Sequence, residues 1–322
     1  MKKENSYDAI VIGGGPAGLT AAIYLSRARL KTLILNEGTV GGQMVFTHEI
    51  ANYPGVESIN GYMLGNIMKK QAETFGAEIK SNINIKSLEL DGRVKTVELT
   101  NGDVYSSDAV IITTGGRSRM LGVEGEEEFK GRGISYCATC DGDFFTDKEI
   151  VVVGGGNSAL EEAVELTTYA SKVTIVHQFD HFQAFEHAVK EATEHPKIDI
   201  RLESEITAFY GSENMESVDI KNKQTGEVEN FKTDGTFIFI GYVPNTEFLQ
   251  HKIDLNERGE IVVNSDMATS VEGVYAAGDS IAKRYRQVTT AVGDATVAAL
   301  AAADYLHSLK VKEKEAAVAS NN

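Results

Sequence analysis

The sequence has only two cysteines and only four prolines in its 322 residues. Two cysteines cannot form the disulfide framework that stabilises small secreted domains. Any function they have is therefore the function of a single cysteine pair. The scarcity of proline and the lack of a Ser/Gly-rich spacer exclude a long flexible linker, and we expect short segments between domains. No run of about 18 apolar residues is present, which excludes a transmembrane helix.

Basic residues are outnumbered: 31 Lys and Arg stand against 47 Asp and Glu, for a formal net charge of −16. This balance argues against a general nucleic-acid binder or an anionic-membrane binder, since both need a basic face for phosphate groups. The N-terminus shows no hydrophobic signal region followed by a cleavage site, so we predict a cytoplasmic protein. The composition, 42% apolar and 24% charged, is that of a globular chain, and the length predicts about two domains.

The sequence contains one local pattern twice. Residues 7–18 read YDAIVIGGGPAG and residues 149–160 read EIVVVGGGNSAL, each an apolar strand, a glycine turn and the start of a helix. A second predicted strand follows each helix, at residues 31–35 and 172–176. Both copies are typical of the βαβ start of a dinucleotide-binding domain. We therefore predict an α/β fold with two Rossmann-like, three-layer (ββα) dinucleotide-binding domains.

Further elements are predicted from periodicity. Alternating patterns at residues 83–90, 94–99 and 109–113 predict a small antiparallel meander that closes the first unit, and residues 205–240 repeat that plan. A strand at 271–277 precedes a predicted helix from about Arg286 to Leu309. The residues after Lys310 alternate charged and small side chains, which predicts a solvated end.

The first glycine turn, Gly13-x-Gly15-x-x-Gly18, predicts a dinucleotide site. Its glycines allow a tight turn, close approach of the backbone to a diphosphate, and close packing of helix on strand. The N–H groups and the dipole at the helix start favour the diphosphate. An acid usually follows the second strand to bind a ribose hydroxyl, and here Asn36 or its neighbour Glu37 takes that place. A glycine-rich turn without a ligand is the alternative.

The second glycine turn, Gly154-x-Gly156-x-x-Ala159, lacks the residues that hold the ribose end of a nucleotide. The strand after it ends in HQFDHFQ at residues 177–183, with no arginine for a 2′-phosphate and with Asp180 as the nearest carboxylate. A phosphate there would lack its charge-assisted bidentate partner. We predict a domain that keeps its fold without binding a nucleotide, with an NADPH site as the alternative.

The two cysteines form a Cys137-x-x-Cys140 motif that is followed directly by Asp141. Such a pair can close a readily reducible disulfide and can lower the pKa of one thiol. A carboxylate beside it can carry the proton that thiol–disulfide exchange requires. Half of a zinc site is the alternative, but no second cysteine pair exists, and the histidines at 177, 181 and 187 lack the spacing of a known metal site. We predict a redox pair and no metal.

Three segments together resemble the low-molecular-weight thioredoxin reductases: GGGPAG at 13–18, CATCDGD at 137–143 and TSVEGVYAAGDS at 269–280. Further matches are GGQM at 41–44, NYPG at 52–55, TTGG at 113–116, GYVPNT at 241–246 and YRQVTTAVGD at 285–294. The resemblance extends from about residue 6 to residue 309. It implies an FAD-binding domain in two segments, residues 1–116 and 244–322. It also implies that a pyridine-nucleotide-type domain, residues 117–243, is inserted between them and carries the cysteine pair.

The resemblance also implies which residues bind FAD. The cofactor would lie along the first glycine turn, with the segment after residue 277 on its ribityl–phosphate side and residues 286–288 near the isoalloxazine. The residues expected to bind FAD are Gly13, Gly15, Pro16, Ala17, Gly18, Asn36, Glu37, Gly42, Gln43, Asn52, Thr114, Gly115, Gly278, Asp279, Arg286, Gln287 and Val288.

For the cysteines, the resemblance implies unequal roles. FAD would pass two electrons to the Cys137–Cys140 disulfide. Cys140 would face the flavin and form the charge-transfer thiolate, while Cys137 would attack the disulfide of thioredoxin. Asp141 is the expected acid and base. The function implied is therefore that of a thioredoxin reductase, an enzyme, and the family usually forms homodimers.

The chain departs from the NADPH-dependent members of this family. Those carry an HRR-x-x-x-R segment that binds the 2′-phosphate, and the aligned residues here are His177, Gln178, Phe179 and Gln183. The missing arginines resemble the ferredoxin-linked flavin thioredoxin reductases of anaerobic bacteria, so we predict reduced ferredoxin as the electron donor. An NADPH- or NADH-dependent thioredoxin reductase is the first alternative. A flavin electron-transfer or redox-sensing module is the second.

Docking of ferredoxin raises a question of charge. Ferredoxins are usually acidic, and so is this chain, so their long-range attraction is poor without a local basic patch. The segment Lys283-Arg284-Tyr285-Arg286, directly before the C-terminal helix, is the candidate. A solvated loop with one flavin-contacting arginine is the alternative.

Overall fold

The computed structural model describes residues 5–47 and 49–319 of the chain. The described residues fold into two compact units. The first unit is formed by the segment that ends at Arg117 together with the segment that begins at Val243, and the second unit is Ser118–Tyr242.

Strands and helices alternate along much of the chain. The strands are β1 Ser6–Ile12, β2 Thr32–Asn36, β3 Glu78–Ser81, β4 Ile85–Glu89, β5 Lys95–Leu99, β6 Val104–Ile112, β7 Gly116–Ser118, β8 Ile134–Ser135, β9 Glu149–Val153, β10 Lys172–Val176, β11 Ile198–Arg201, β12 Ser204–Gly211, β13 Met215–Asn222, β14 Val228–Lys232, β15 Gly235–Ile238, β16 Tyr242–Pro244 and β17 Val274–Ala276. The helices are α1 Pro16–Arg27, α2 Gly61–Thr74, α3 Glu126–Phe129, α4 Ala138–Asp141, α5 Asn157–Leu166, α6 Glu186–Glu194 and α7 Val288–Ala319.

The first unit is built on a sheet with the strand order β3-β2-β1-β6-β5-β4. Strands β1, β2, β3 and β6 pair in parallel, whereas β4, β5 and the first half of β6 form an antiparallel meander. The last residues of β6, Val110–Ile112, pair in parallel with β1 and β17, so the prediction that residues 109–113 belong to the antiparallel meander is wrong. Nearly all of β1 is buried, as expected for a strand that is covered on both faces.

Alternate side chains of β1 pack on opposite faces of this sheet, because successive residues of a strand point in opposite directions. Ala9 and Val11 belong to the core under helices α1, α2 and α7. Ile10 and Ile12 belong to the core on the other face, which includes Leu249 from the segment after β16. The sheet is therefore the central layer of the first unit.

The second unit has a parallel sheet in the order β11-β10-β9-β15-β8 and a separate antiparallel sheet of β12, β13 and β14. Leu160 of α5 and Ala188 of α6 pack on one face of the parallel sheet, and Val218 of the antiparallel sheet packs on the other. Strand β15 pairs in parallel with β9. The prediction that residues 205–240 form one meander is therefore wrong for this last strand.

Helix α7 is longer than its sequence pattern suggests. Its predicted end near Leu309 is wrong, because the helix continues through Lys310 to Ala319. Alanine, lysine and glutamate, which dominate this stretch, are strong helix formers. The side chains at 311–316 are exposed, so the segment is solvated, as expected.

Candidate cofactor site and redox centre

The first glycine turn leaves the sheet where the carboxyl ends of β1, β6 and β17 lie side by side. Gly13 follows β1 with a φ of +106°, and a Cβ there would lie 2.3 Å from the carbonyl oxygen of Thr113. At Gly18, in the first turn of α1, a Cβ would lie 1.8 Å from the Gly13 carbonyl oxygen. Neither position has room for a side chain, so α1 packs closely on β1.

The start of α1 is open to an anion. Pro16 occupies the first helical position, where its missing N–H costs no hydrogen bond. Within the described chain no side chain caps this end, and the first turn of the helix carries no acidic residue. Strand order reverses on either side of β1, and this is the point at which α/β sheets bind nucleotides. The backbone N–H groups and the helix dipole are thus available to a diphosphate.

Asn36 and Glu37, the two candidates for the ribose, point in different directions. Asn36 is buried at the end of β2, and its Oδ1 accepts the Gly14 N–H at 2.8 Å. Glu37 is exposed, and its Oε1 accepts the N–H of Ile85, the first residue of β4, at 3.0 Å. The structure therefore brings Asn36 to the glycine turn and directs Glu37 to β4.

The segment that follows β2 passes the glycine turn. A Cβ on Gly42 would lie 3.0 Å from the Cα of Gly15, so the two backbones are in contact. Further along, Asn52 Nδ2 lies 3.4 Å from Gln287 Oε1, just before α7. Gln43 is exposed. The structure thus places Gly42 on the turn and connects Asn52 to the start of α7.

Gly278 and Asp279 follow β17 at the same edge of the sheet. Gly278 has a φ of +79°, and a Cβ there would lie 2.9 Å from the Cβ of Ala17 in α1. Burial raises the pKa of the Asp279 carboxyl, although Lys283 Nζ lies 3.3 Å from its Oδ1. Arg286 Nε donates to the Asp279 carbonyl oxygen at 3.4 Å. These predicted residues therefore lie together with α1.

Thr114 and Gly115 are bound by a residue of the first unit, Asn245. Thr114 Oγ1 donates to the Asn245 carbonyl oxygen at 2.7 Å, and the Asn245 N–H donates to the Gly115 carbonyl oxygen at 3.0 Å. The preceding residue, Thr113, closes the glycine turn, because its Oγ1 lies 3.0 Å from the Gly13 carbonyl oxygen. Sequence reasoning missed Thr113, although its place directly after β6 was the available signal.

The segment 283–286, the candidate basic patch, is largely neutralised. Two of its three cations are paired with carboxylates: Lys283 with Asp279 and Asp294, and Arg286 with Glu260. The third, Arg284, lies over the ring of Tyr285, 5.2 Å from the centroid. This arrangement favours the alternative of a solvated loop over a strong basic patch.

In the second unit, Cys137 and Cys140 are joined by a disulfide bond, with their Cα atoms 5.3 Å apart. Cys137 is the N-cap residue of α4, and Cys140 lies within this four-residue helix. Ser135 Oγ accepts the Cys137 N–H at 3.1 Å and donates to Asp141 Oδ2 at 2.6 Å. Asp141 is therefore held beside the pair through Ser135.

Sequence reasoning missed two carboxylates that contact the residues next to the cysteines. Glu126 is fully buried, and it accepts two backbone N–H groups of residues 121–122 and the Tyr136 hydroxyl, the last at 2.8 Å. Glu162 on α5 accepts the Ala138 N–H at 3.2 Å. Burial raises the pKa of Glu162, and it also raises the pKa of Tyr136. No local pattern in the sequence indicates either contact.

The second glycine turn is covered by the loop that follows β10. A Cβ on Gly155 would lie 2.3 Å from the ring of His177, and the Gln183 N–H donates to the Gly155 carbonyl oxygen at 2.7 Å. His177 is buried, which lowers the pKa of its imidazole, and its Nε2 lies 3.1 Å from the His181 carbonyl oxygen. Phe182 stacks on the same ring. The loop packs on the turn through aromatic and backbone contacts.

Two cations of the second unit lie close to this loop. Arg201, at the end of β11, donates to Glu229 at 2.6 Å, and its guanidinium lies 4.6 Å from the ring centroid of Phe231. Lys223 Nζ lies 5.8 Å from the ring centroid of Phe179. Arg201 is therefore paired with Glu229, and Lys223 faces Phe179 of the loop.

Among the described residues, no group of three or more His, Cys, Asp or Glu side chains is arranged to hold a metal ion. Over the same ranges, no helix is long and apolar enough to cross a membrane.

A sequence model of the pyridine nucleotide-disulphide oxidoreductases matches residues 7–295. The chain belongs to this family. It is 45% identical over 312 residues to the thioredoxin reductase of Peptoclostridium acidaminophilum, covering 95% of this chain and 98% of that protein. It is 44% identical over 311 residues to the thioredoxin reductase of Bacillus subtilis, covering 96% and 98%. The crystal structure of thioredoxin reductase from Streptococcus pyogenes matches with a TM-score of 0.91 at 39% identity, covering 95% of this chain and 100% of that one.

The predicted fold is confirmed by these matches. This oxidoreductase has an α/β fold. Its two Rossmann-like domains contain parallel sheets. Each domain contains the strand–glycine turn–helix pattern that predicted it, at β1–α1 and at β9–α5.

Membership of the family implies FAD as the cofactor. The residues present fit it, because the turn at 13–18 leaves no room for side chains and the start of α1 is free for a diphosphate. Asn36 and Gly278 lie against the same turn and helix. The individual contacts to FAD stay predictions.

Proposed function

We propose that this protein is a thioredoxin reductase whose Cys137–Cys140 pair reduces the disulfide of thioredoxin. The observation that carries the proposal is the disulfide between the only two cysteines of the chain, at the start of α4 and beside Asp141. Relatives named thioredoxin reductase match nearly the whole chain at 45% and 44% identity. The cysteine pair and the extent of the match both support this activity.

The exchange itself uses the residues of the redox centre. With the pair reduced, the Cys137 thiolate attacks one sulfur of the partner disulfide, which forms a mixed disulfide and releases one partner thiolate. Cys140 then attacks the Cys137 sulfur, which restores the internal disulfide and releases the second partner thiolate. Two protons pass from the two thiols to the partner, and Asp141, held by Ser135, is the proposed proton carrier.

FAD, when bound, can take up electrons singly or in pairs and supply a pair to the disulfide. In the proposed site, residues 13–18 and the start of α1 bind its diphosphate, and Asn36 binds a ribose hydroxyl. The segment 278–279 would bind the ribityl side, and residues 286–288 would lie near the isoalloxazine. The proposed FAD-binding domain therefore comprises residues 1–116 and 244–322. The proposed inserted domain, residues 117–243, carries the redox pair.

We also propose reduced ferredoxin, and not NADPH, as the electron donor. A 2′-phosphate needs a charge-assisted, preferably bidentate partner, which arginine supplies. The loop at 177–183 has no arginine, its His177 is buried against Gly155, and the nearby Arg201 is bound to Glu229. Lys223, which lies over Phe179 of this loop, is a point charge without the bidentate geometry of arginine.

An anaerobic titration of the purified holoenzyme tests these proposals. Reduced ferredoxin is expected to bleach the flavin absorbance and, with thioredoxin present, to drive reduction of the thioredoxin disulfide. Bleaching by NADPH at submillimolar concentration would overturn ferredoxin as the donor and keep the reductase. Bleaching without thioredoxin reduction would overturn the reductase and leave an electron-transfer or redox-sensing module. If NADPH does act, Lys223→Ala should weaken it severalfold and leave the ferredoxin reaction unchanged.

We further propose a homodimer in the cytoplasm. Helices α1, α2 and α7 share one core of the first unit, and this layer also exposes Met63, Ile67 and Leu300. Met63 and Ile67 lie one helical turn apart on α2, and this exposed apolar pair supports a face that a second copy covers. A cytoplasmic location suits a dithiol, since thiols are kept reduced there.

A further inference from the structure

Each of the four residues from Ser135 to Ala138 makes a hydrogen bond that involves a side chain. Ser135 is bound to Asp141, and the Tyr136 hydroxyl is bound to Glu126. The Cys137 N–H donates to Ser135 Oγ at 3.1 Å. The next N–H, that of Ala138, donates to a carboxylate from outside this segment. These contacts leave little freedom to the peptide groups that flank the Cys137 sulfur.

That carboxylate belongs to Glu162. It lies on α5, the helix that begins at the second glycine turn, and its Oε2 accepts the Ala138 N–H at 3.2 Å. The side chain is half-buried, and the loss of water raises the pKa of its carboxyl. The exchange chemistry proposed above makes no use of Glu162.

A carboxylate at this place has a consequence for Cys137. A Cys137 thiolate would be stabilised by nearby N–H donors and destabilised by a nearby anion. The N–H of the next residue, Ala138, is already bound to the Glu162 carboxylate. A second negative charge on the neighbouring sulfur is therefore disfavoured.

We infer that Glu162 is a positioning residue of the redox centre: its carboxylate fixes the Ala138 peptide and keeps the Cys137 thiol weakly acidic. A disulfide whose reduced form is destabilised in this way has a lower reduction potential. Its dithiol is then a stronger reductant toward the partner. The inference rests on the proposed redox role of the pair.

Other titratable groups near the cysteine pair also influence the pKa of the Cys137 thiol. Asp141 shares helix α4, Asp143 lies in the turn that follows it, and Tyr169 packs on that turn at Gly142. Helix α5 adds two further glutamates, Glu161 and Glu165, both exposed. The contact of Glu162 with the Ala138 N–H distinguishes it from these groups.

The test uses the FAD-loaded, full-length protein with Cys140→Ser, which leaves Cys137 as the only thiol in the chain. The rate of its alkylation by iodoacetamide is measured against pH, with and without Glu162→Gln. The amide oxygen of glutamine can still accept the Ala138 N–H, so this variant removes the charge and keeps the bond. We expect the alkylation midpoint to fall by about one pH unit, which is about tenfold more thiolate at neutral pH. Glu165→Gln removes the same charge from an exposed position of the same helix and should leave the midpoint unchanged.

A midpoint that Glu162→Gln does not move would overturn the inference, and so would an equal fall in both variants. A lower unfolding temperature with an unmoved midpoint would show a purely structural contact. In the protein with both cysteines, Glu162→Gln should also shift the equilibrium with glutathione about tenfold toward the dithiol, or about 30 mV. Neither measurement involves thioredoxin, so a failure of thioredoxin reduction would be a separate result.

Discussion

Gly18 and Gly13 meet backbone to backbone in the first glycine turn. A Cβ on Gly18 would lie 1.8 Å from the Gly13 carbonyl oxygen, far inside the contact distance of two heavy atoms. The opposing atom belongs to the main chain between β1 and α1, so no flexible side chain can move aside. The position therefore accepts only glycine while α1 keeps its place.

We expect Gly18→Ala to lower the free energy of unfolding by about 1–3 kcal/mol, because the added methyl overpacks the turn. It should also abolish FAD retention, since α1 must shift away from the turn. FAD per chain after gel filtration and a urea titration measure the two effects. Gly76→Ala is the control: its φ is +95° with open space around it, so it should cost about 1 kcal/mol and keep full FAD. FAD retained by Gly18→Ala would contradict the proposed cofactor site.

The two cysteines are predicted to differ in their spectra. Cys137→Ser should keep a long-wavelength flavin–thiolate absorbance band and lose thioredoxin reduction, because the Cys140 thiolate remains. Cys140→Ser should lose the band, because it removes the thiolate that is proposed to face the flavin. Visible spectra of the reduced variants and a thioredoxin assay make the comparison. A band that persists in Cys140→Ser would show that the roles of the two cysteines are the reverse of those proposed.

At the scale of elements, helix α3 acts mainly through its first residue. Glu126 is fully buried and accepts the N–H groups of Leu121 and Gly122 at 3.0 and 2.7 Å, and the Tyr136 hydroxyl at 2.8 Å. It thereby connects residues 121–122 to Tyr136, the residue between strand β8 and Cys137. One carboxylate satisfies three donors.

Glu126→Ala should therefore lower the free energy of unfolding by about 1–3 kcal/mol, since it leaves three partly buried donors without this acceptor. Tyr136→Phe removes the hydroxyl alone and should cost about 1 kcal/mol. Urea unfolding of both variants gives the comparison. Equal losses would mean that the two backbone N–H groups do not depend on the carboxylate.

At the scale of the whole molecule, the net charge of −16 affects the proposed electron donor. Lys283 and Arg286 are paired with carboxylates, so the segment before α7 adds little positive charge. An acidic ferredoxin should therefore be repelled, and added salt should screen this repulsion.

The rate constant for reduction by an acidic ferredoxin should rise severalfold between about 10 and 150 mM salt. Stopped-flow bleaching of the flavin measures it. The methyl viologen radical, a cationic reductant, is the control and should react more slowly as salt is added. A ferredoxin rate that falls with salt would reveal a basic docking surface that outweighs the net charge.

The proposed homodimer predicts that one substitution on α2 disrupts the dimer interface. Ile67→Glu should convert the dimer to a monomer, because it places a charge on an apolar face that would be covered by the second copy. Val228→Glu in strand β14 is the matched control, since Val228 is 51% exposed and Ile67 is 53% exposed. Light scattering after gel filtration reports the mass of each. A stable dimer of Ile67→Glu would exclude this face as the interface.

Much of the architecture follows from patterns in the sequence alone. The apolar run and glycine turn at residues 7–18 and again at 149–160 predicted two Rossmann-like domains, and that fold is confirmed. The Cys137-x-x-Cys140 spacing predicted a pair that forms a disulfide, and the structure contains it. Strand and helix periodicity reports local backbone conformation and burial, so neighbouring residues suffice for these features. The wrong prediction for the end of α7 also concerned a local property, the high helix propensity of the residues after Leu309.

Only the tertiary structure decided which side chains surround those local features. Glu162 reaches Ala138 across 24 positions, and Thr113 reaches the Ile12 carbonyl oxygen across 101. The choice between Asn36 and Glu37 at the glycine turn depended on where β4 lies. Hydrogen bonds of this kind depend on how separate elements pack, and no periodicity within a short window encodes that packing.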